Sequence, residues 1–209
     1  MSDSRSSLQD ETIVGIQRGP GSFNEEAAAT NLPGVLGLQH YRLEYLHETA
    51  RVLEALAKGR ITFGQFALCN SYGGPYAESL RPLCHARVDL RAQYSIRIRH
   101  ALIARKDAML TDLTTILSHD QVFRQCSRSL QERLPRLKLQ VGEGRYVDPA
   151  SVAEALGRGE LPVEVATVSN PRLADLHDLR IIESDLQDAN DNRSWFVLVK
   201  TYGGLQDVG

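Results

Sequence analysis

Apolar and polar positions along the chain predict short strands that alternate with amphipathic helices. Loops of a few residues between such elements are typical of βαβ units around a parallel sheet. Ser22, followed three residues later by Glu25, has the spacing of a capping box that begins a helix. The elements predicted in the first half are strands at 12–17, 35–39 and 61–70, a helix from Ser22 and a helix at 47–58.

The longest apolar pattern covers residues 94–105, where polar and apolar residues alternate with the period of two that half-exposed strands show. A strand of this length predicts a crossing from one lobe of the protein to the other. The same order of elements then repeats. The second half is predicted to contain strands at 114–117, 137–141, 163–168, 179–183 and 195–200 and helices at 119–134, 149–156 and 171–176.

Two α/β lobes with a cleft between them account for this order of elements. Ligands bind such sheets beyond the carboxyl ends of the strands. The first lobe is predicted to comprise residues 12–93 and 188–203, and the second lobe residues 94–187. Residues 1–11, rich in Ser and Asp, predict a disordered leader, and residues 204–209 a tail.

Composition excludes several classes of partner. The 209 residues carry a net charge of −2, with 42% hydrophobic and 24% charged residues, as in ordinary globular proteins. Because there is no basic field and no apolar run of membrane-spanning length, we expect neither nucleic acid nor a membrane as partner. Three widely spaced cysteines predict free thiols in a reducing cytoplasm, and the histidines show no ligand spacing. We therefore expect a cytoplasmic protein with neither metal nor cofactor.

Four junctions between a predicted strand and the following turn or helix carry small hydroxyl or amide residues. Free backbone N–H groups at helix N-termini bind anions, so four junctions at one edge predict a cleft for carboxylates. Arg81, Arg97 and Arg99 could add positive charge. His100, on the apolar side of its strand, favours a core position, whereas His119 at a helix start stays ambiguous. The four junctions are Gly21-Ser22, Asn70-Ser71, Ser118-His119 and 148–151.

A polar, turn-forming stretch at 188–192 leads into the apolar residues 195–199, which is typical of a loop that delivers a strand. Ser194 and Trp195 lie at this junction. The spacing fits a solvated turn before a buried strand, and it also fits a loop that presents a hydroxyl and an indole to a cleft.

The motifs of this chain resemble those of prephenate dehydratases, in the same order, from about residue 12 to residue 200. The most specific match is Ser118-His119-Asp120-Gln121 with Gln125-Cys126, which is similar to Ser-His-Pro-Gln…Gln-Cys. The other matches are 16–23 to Gly-Pro-x-Gly-Ser/Thr-Phe, 69–74 to Glu-Asn-Ser-x-x-Gly, 98–102 to Ile-x-His-x-Leu, 151–153 to Ser-Thr-Ala, and 188–196 to Asp-x-x-x-Asn-x-Thr-Arg-Phe.

The resemblance implies two α/β lobes of the type II periplasmic-binding kind, with a small carboxylate substrate in the interlobe cleft. A homodimer is implied, and the family's C-terminal ACT domain, which senses phenylalanine, is not expected here. The implied catalytic residues are Ser194, Trp195 and His119. The implied substrate-binding residues are Ser22, Phe23, Asn70, Ser71, Arg81, Arg99, Ser118, Gln121, Ser151 and Phe196.

Three positions depart from the family pattern. Ser194 replaces the threonine, which in the family helps the ring hydroxyl leave, Trp195 replaces the arginine, and Cys69 replaces the glutamate. Loss of a cation together with an anion predicts a rewired pocket, because losing either one alone leaves its partner unpaired. Ser-Trp, together with Arg81-Pro82, is similar to the prephenate decarboxylases of bacilysin-type antibiotic pathways, which keep the ring hydroxyl.

We therefore expect a lyase that decarboxylates prephenate or a close relative without aromatising it, in specialised metabolism. Trp195 is expected to exclude water from the site. His119, His100 and a water held by Ser194 are the candidate proton donors. The alternatives are an unregulated prephenate dehydratase that forms phenylpyruvate, and a dehydratase-like protein for another carboxylate, as in tropone-antibiotic pathways.

Overall fold

The computed structural model describes residues 11–37 and 40–203, which form two α/β lobes, each built on its own sheet. The first sheet has the order β2-β1-β3-β11-β5, with β4 paired to β3, and the second has the order β10-β6-β9-β7-β8. The strands are β1 Ile13–Ile16, β2 Arg42–Tyr45, β3 Phe63–Asn70, β4 Gly74–Pro75, β5 Val88–Arg97, β6 Ala101–Arg105, β7 Thr115–Ser118, β8 Lys138–Val141, β9 Val165–Ser169, β10 Leu179–Glu183 and β11 Arg193–Thr201. The helices are α1 Phe23–Leu36, α2 Thr49–Ala57, α3 Ala77–Leu83, α4 Asp120–Gln125, α5 Ser127–Arg133, α6 Pro149–Gly157 and α7 Arg172–Leu176, with a 3-10 turn at Gly144–Val147.

The two-lobed α/β architecture confirms the fold class predicted from the sequence. Strand β1 is parallel to β2 and β3, and β7 is parallel to β8 and β9, as βαβ units require. The strands that close each sheet differ. Strand β11 is antiparallel to β3 and β5, and β6 is antiparallel to β9 and β10. Both sheets are therefore mixed, with three neighbouring parallel strands on one side, β2-β1-β3 in the first and β9-β7-β8 in the second.

The helix cap predicted at Ser22 is present. Ser22 Oγ accepts a hydrogen bond from the backbone N–H of Glu25, at 3.4 Å, and α1 begins at the next residue. The Glu25 carboxylate reaches back to the backbone N–H of Gly21, at 2.5 Å, one residue earlier than in a standard capping box. Gly37, in the left-handed conformation with φ of 64°, ends this helix.

The chain crosses between the lobes twice, at 98–100 and at 184–192. The prediction of one continuous strand at 94–105 is wrong, because β5 ends in the first sheet and β6 begins in the second. The two crossings are hydrogen-bonded to each other. His100 N–H donates to Gln187 Oε1 at 2.9 Å, and Leu186 N–H donates to the His100 carbonyl at 2.9 Å. The alternation of polar and apolar residues continues from β5 into β6. It therefore does not show where the chain passes from the first sheet to the second.

Two further element predictions are wrong. Residues 35 and 36 of the strand predicted at 35–39 belong to α1, and residues 38–39 lie outside the described ranges. The helix predicted at 119–134 is divided into α4 and α5 at Cys126, whose φ of −121° departs from helical geometry. Within the described ranges, no helix is long and apolar enough to cross a membrane.

Candidate active site

A cavity of about 130 Å³ lies between the lobes and is lined by residues from both. Its walls combine aromatic and aliphatic side chains with neutral polar groups, as small-molecule sites do. From the first lobe and its return strand come Gln17, Arg18, Ser22, Phe23, Asn24, Ala67, Tyr76, Glu78, Ser194 and Phe196. From the crossing and the second lobe come Ile98, His100, His119, Gln121, Val122, Gln125, Asp148, Pro149, Ala150, Ser169, Asn170 and Leu173.

Three of the four predicted junctions meet at this cavity. Ser22, His119 and Asp148 are the N-cap residues of α1, α4 and α6, and all three line it. The positive ends of the α1 and α6 dipoles are already paired with carboxylates, because Glu25 accepts from the Gly21 N–H and Asp148 from the Ala150 N–H. The fourth junction, Asn70-Ser71, lies behind the wall, where Asn70 contacts a lining residue.

Ser194 is the hydroxyl that the structure places most firmly at the cavity. It is 3% exposed, and its Oγ accepts a hydrogen bond from Asn70 Nδ2 at 3.1 Å. The Tyr76 hydroxyl lies 3.3 Å from the same oxygen. Burial raises the pKa of Tyr76, so the phenol keeps its proton at neutral pH. Two hydroxyl groups in contact can pass a proton between a ligand and the phenol.

Tyr76 is a residue of the cavity that the sequence did not predict. Tyr76 immediately precedes α3, and its contact with Ser194 spans 118 residues of sequence. The only local signal was its position just after the Gly73-Gly74 turn that the resemblance had marked.

Arg18 is the one Arg or Lys among the described residues that line the cavity. Its side chain forms an ion pair with Glu78, and Glu78 Oε1 also accepts a hydrogen bond from Gln17 Nε2 at 3.1 Å. Arg18 has a φ of 71°, the left-handed region that a non-glycine residue rarely adopts. Arg18 lies in the motif at 16–23, and no role was predicted for it. It is therefore the candidate cation of this cavity.

Both histidines at the cavity are neutral at neutral pH. Complete burial lowers the pKa of His100 to about 4. His100 meets the Phe23 ring edge-on, with centroids 5.4 Å apart. Partial burial, with the nearby Arg18 charge, also lowers the pKa of His119, whose Nδ1 accepts from the Gln121 backbone N–H at 3.0 Å. With Nδ1 an acceptor, neutral His119 carries its proton on Nε2.

Trp195 lies on the opposite face of β11 from Ser194 and Phe196, because successive side chains of a strand point to opposite faces. Trp195 is half-buried, and it is not among the described residues that line the cavity. The expectation that its indole excludes water from the site is therefore not supported by its position. Cys69 is its direct partner on β3. The two departures from the family pattern, Trp195 and Cys69, thus form one cross-strand pair.

Five of the other predicted site residues do not line the cavity. Arg81 and Arg99 are exposed. Ser118 is fully buried and donates its hydroxyl to the Val168 carbonyl at 2.7 Å. Ser151 lies inside α6, and Ser71 accepts from the Arg193 N–H at 3.0 Å. Each of these hydroxyls or charges is directed to the fold or to solvent. Ser22, Phe23, Gln121 and Phe196 do line the cavity, as the resemblance implied.

No group of three His, Cys, Asp or Glu side chains within the described ranges could hold a metal ion. The reactive groups that the cavity offers are hydroxyls, amides, neutral imidazoles, one arginine and the carboxylates of Glu78 and Asp148. Such a set suits proton movement and carboxylate binding.

The fold places this chain among two-lobed proteins of the periplasmic-binding kind. It is similar to a putative methionine-binding lipoprotein of Bacillus subtilis, with a TM-score of 0.50, 15% identity, and coverage of 92% of this chain and 84% of that one. A higher similarity is to prephenate dehydratase of Arthrobacter aurescens in complex with L-Phe. There the TM-score is 0.78 and the identity 23%, covering 95% of this chain and 63% of that chain.

The model of the family described as prephenate dehydratase matches residues 14–203, so this chain belongs to the prephenate dehydratase family. A curated relative is arogenate dehydratase 3 of Arabidopsis thaliana, 25% identical over 186 residues that make up 89% of this chain. The match spans 41% of the length of that relative. Family membership confirms the resemblance that the motifs indicated.

Proposed function

We propose that this chain is a lyase that removes CO₂ from prephenate or a close relative and retains the ring hydroxyl. The observation that carries this proposal is the state of the two cavity histidines, which burial holds neutral. No described residue of the cavity is a cationic imidazole acid that could drive the hydroxyl out as water. Protonation of a leaving hydroxyl is then left to neutral donors, the Tyr76 phenol and the imidazole N–H groups, and weak acids favour the reaction in which the hydroxyl stays.

Binding of the two substrate carboxylates follows from the charges at the cavity. Arg18 supplies one cation, whereas the partial positive charge at the N-termini of α1 and α6 is already paired with the Glu25 and Asp148 carboxylates. A substrate carboxylate that pairs with Arg18 must compete with Glu78. Because Glu78 is exposed, solvent can stabilise its carboxylate when Arg18 turns to the substrate.

The reaction balances with one proton. The bond between the ring carbon and its carboxylate breaks, CO₂ leaves, and the electron pair moves into the ring diene. A proton then adds to a ring carbon, giving a dihydro-hydroxyphenylpyruvate. The neutral Nε2–H of His119 and the Tyr76–Ser194 hydroxyl pair can hold or relay that proton. The apolar walls around Phe23 and Phe196 favour loss of the carboxylate charge as CO₂.

A second candidate is dehydration to phenylpyruvate, for which the Ser194–Tyr76 contact is the favouring observation. The same electron pair then expels the ring hydroxyl, which takes a proton and leaves as water. Ser194 keeps the hydroxyl that the family threonine supplies, and Tyr76 lies behind it. The printed name of the Arabidopsis relative, a dehydratase, supports this candidate.

The test is to incubate the purified chain with prephenate in D₂O at mildly basic pD and to analyse the products by absorbance and mass. The proposal expects loss of CO₂, retention of the ring oxygen and one deuterium on a ring carbon. Phenylpyruvate above the spontaneous rate would establish dehydration instead. Ligand-induced thermal stabilisation without any product would contradict both reactions and favour a carboxylate-binding protein for another substrate.

A further inference from the structure

Two charged residues at the cavity are not residues of the family motifs. Counted back from Gly21-Ser22-Phe23, Arg18 stands where Gly-Pro-x-Gly-Ser/Thr-Phe has its first glycine. Its φ of 71° lies in the left-handed region, which glycine adopts at little cost and arginine does not. Glu78, which forms the ion pair with Arg18, lies in α3, after the motif at 69–74. The ion pair is therefore a feature of this cavity that the motifs do not imply.

A buried amide holds the Glu78 carboxylate at the cavity. Gln17 is 2% exposed, and its Oε1 accepts a hydrogen bond from the backbone N–H of Ala67 at 3.3 Å. A backbone N–H only donates, so the amide orientation is fixed, and Gln17 Nε2 donates to Glu78 Oε1 at 3.1 Å. Arg18 pairs with the same oxygen. Both contacts use Oε1, so Oε2 is left for a ligand, and Gln17 still holds Glu78 when Arg18 turns to a ligand.

The charges of the cavity discriminate between two kinds of substrate. Among the described residues that line it, Arg18 carries one positive charge and Glu78 and Asp148 carry two negative charges, because both histidines are neutral. A keto acid such as prephenate can pair its carboxylate with Arg18 only by leaving Glu78 without a cation. An α-amino acid carries an ammonium next to its carboxylate, so it can pair with Arg18 and Glu78 together.

We propose that Glu78 is a specificity-determining residue, through which the cavity prefers the α-amino acid counterpart of prephenate to prephenate itself. Arg18 binds the α-carboxylate, and Glu78 Oε2 binds the ammonium that replaces the keto group. This inference rests on the proposed function for the ring chemistry and names the substrate on which that chemistry acts. The amino acid exchanges one ion pair of the free protein for two, whereas the keto acid exchanges one for one.

Steady-state kinetics with prephenate and with its α-amino acid counterpart tests the preference. The wild type is expected to show a kcat/KM for the amino acid that is roughly fivefold or more above that for prephenate, mostly through KM, as one exposed ion pair contributes. Glu78→Gln removes the charge and keeps the shape, so the preference should disappear. Equal kcat/KM values in the wild type, or a preference for prephenate, would overturn the inference.

Glu44→Gln is the matched control, because Glu44 also pairs with an arginine of the first lobe, Arg60, at 3.0 Å. Glu44 is not among the described residues that line the cavity, so its loss should leave the preference unchanged. An equal loss in both variants would reveal a general effect of charge and contradict the role of Glu78. The ratio of hydroxyl-retaining product to phenylpyruvate, measured with prephenate, should be the same in all three proteins, because Glu78 acts on binding.

The test also separates the preference from the reaction. Turnover of neither compound would refute the proposed function, and titration calorimetry with the same intact compounds would then decide the preference. Tighter binding of the amino acid by the wild type, lost in Glu78→Gln and kept in Glu44→Gln, would support the role of Glu78 without the reaction. Equal binding of the two compounds would overturn it.

Discussion

The two faces of β11 differ in what they do, although Ser194 and Trp195 are adjacent in the chain. On the cavity face, Ser194 is held by Asn70 beside Tyr76, and Phe196 is buried at 1% exposure. On the other face, Trp195 lies opposite Cys69 and takes no part in the cavity lining. A sequence motif on a strand therefore joins residues of two different environments.

The difference between the two faces changes how the replacements at positions 195 and 69 are interpreted. An arginine and a glutamate at positions 195 and 69 would face each other across two strands as an ion pair. Here the pair is an indole and a thiol, so no charge is left unpaired. Replacement of the arginine and glutamate by Trp195 and Cys69 therefore changes a contact between β11 and β3. The cavity face of β11 still has a hydroxyl, at Ser194.

The largest effect is expected from Ser194→Ala, which removes the hydroxyl from the cavity face of β11. Loss of the hydroxyl that links Tyr76 to the ligand should lower kcat/KM roughly 10²-fold or more, the usual contribution of a positioned proton-transfer group. Steady-state kinetics with prephenate measures this. Ser194→Thr restores a hydroxyl and serves as the control, and equal rates for the two variants would contradict the role.

A pH effect is expected from His100 on the same face. The folded pKa is about 4, below the ordinary 6.5, so the unfolded state binds more protons between these values. Stability is therefore complete above pH 6.5 and falls as the pH drops towards 4, by about 3 kcal/mol in all. Urea unfolding at a series of pH values checks this, and His100→Phe should remove that part of the slope.

Arg18→Gln tests the cation of the cavity. Removal of a charge-assisted hydrogen bond costs about 1.5–3 kcal/mol, so KM should rise roughly 10- to 100-fold with a smaller change in kcat. Arg81→Gln, on an exposed helix outside the cavity, is the control and should leave KM unchanged. If both variants bind equally well, the substrate carboxylate pairs with another group.

The smallest effect on the reaction is expected from Trp195→Arg, which changes only the face of β11 that lies away from the cavity. The new cation would face Cys69, so stability should fall by about 1–3 kcal/mol while the product ratio stays the same. Adding Cys69→Glu should recover most of that loss in a double-mutant cycle measured by urea unfolding. Phenylpyruvate gained by Trp195→Arg alone would show that this face does control the reaction.

The parts of the site that local sequence encodes were predictable. The N-caps at Ser22 and His119 follow from short-range spacing, and both reach the cavity. Contacts between distant residues were not predictable. The Tyr76–Ser194 and Gln125–His100 contacts depend on how distant strands and helices pack, and spacing carries no record of that.

Predictions based on residue type were wrong where the side chain is hydrogen-bonded within the protein or lies away from the cavity. Ser118 was a candidate ligand because it precedes a helix, yet its hydroxyl is bonded to the β9 backbone. Arg81 and Arg99 were chosen for their charge, and both face solvent. Trp195 was chosen because it replaces the arginine of the family motif, and the alternation of side chains along a strand places it on the other face.

The hydrogen bonds between the two crossings have a mechanical consequence. Because His100 is bonded to both Leu186 and Gln187, the two connecting segments form one two-stranded strap. A motion that pulls the two segments apart would break both hydrogen bonds, whereas a motion that bends them together would keep His100 between the lobes.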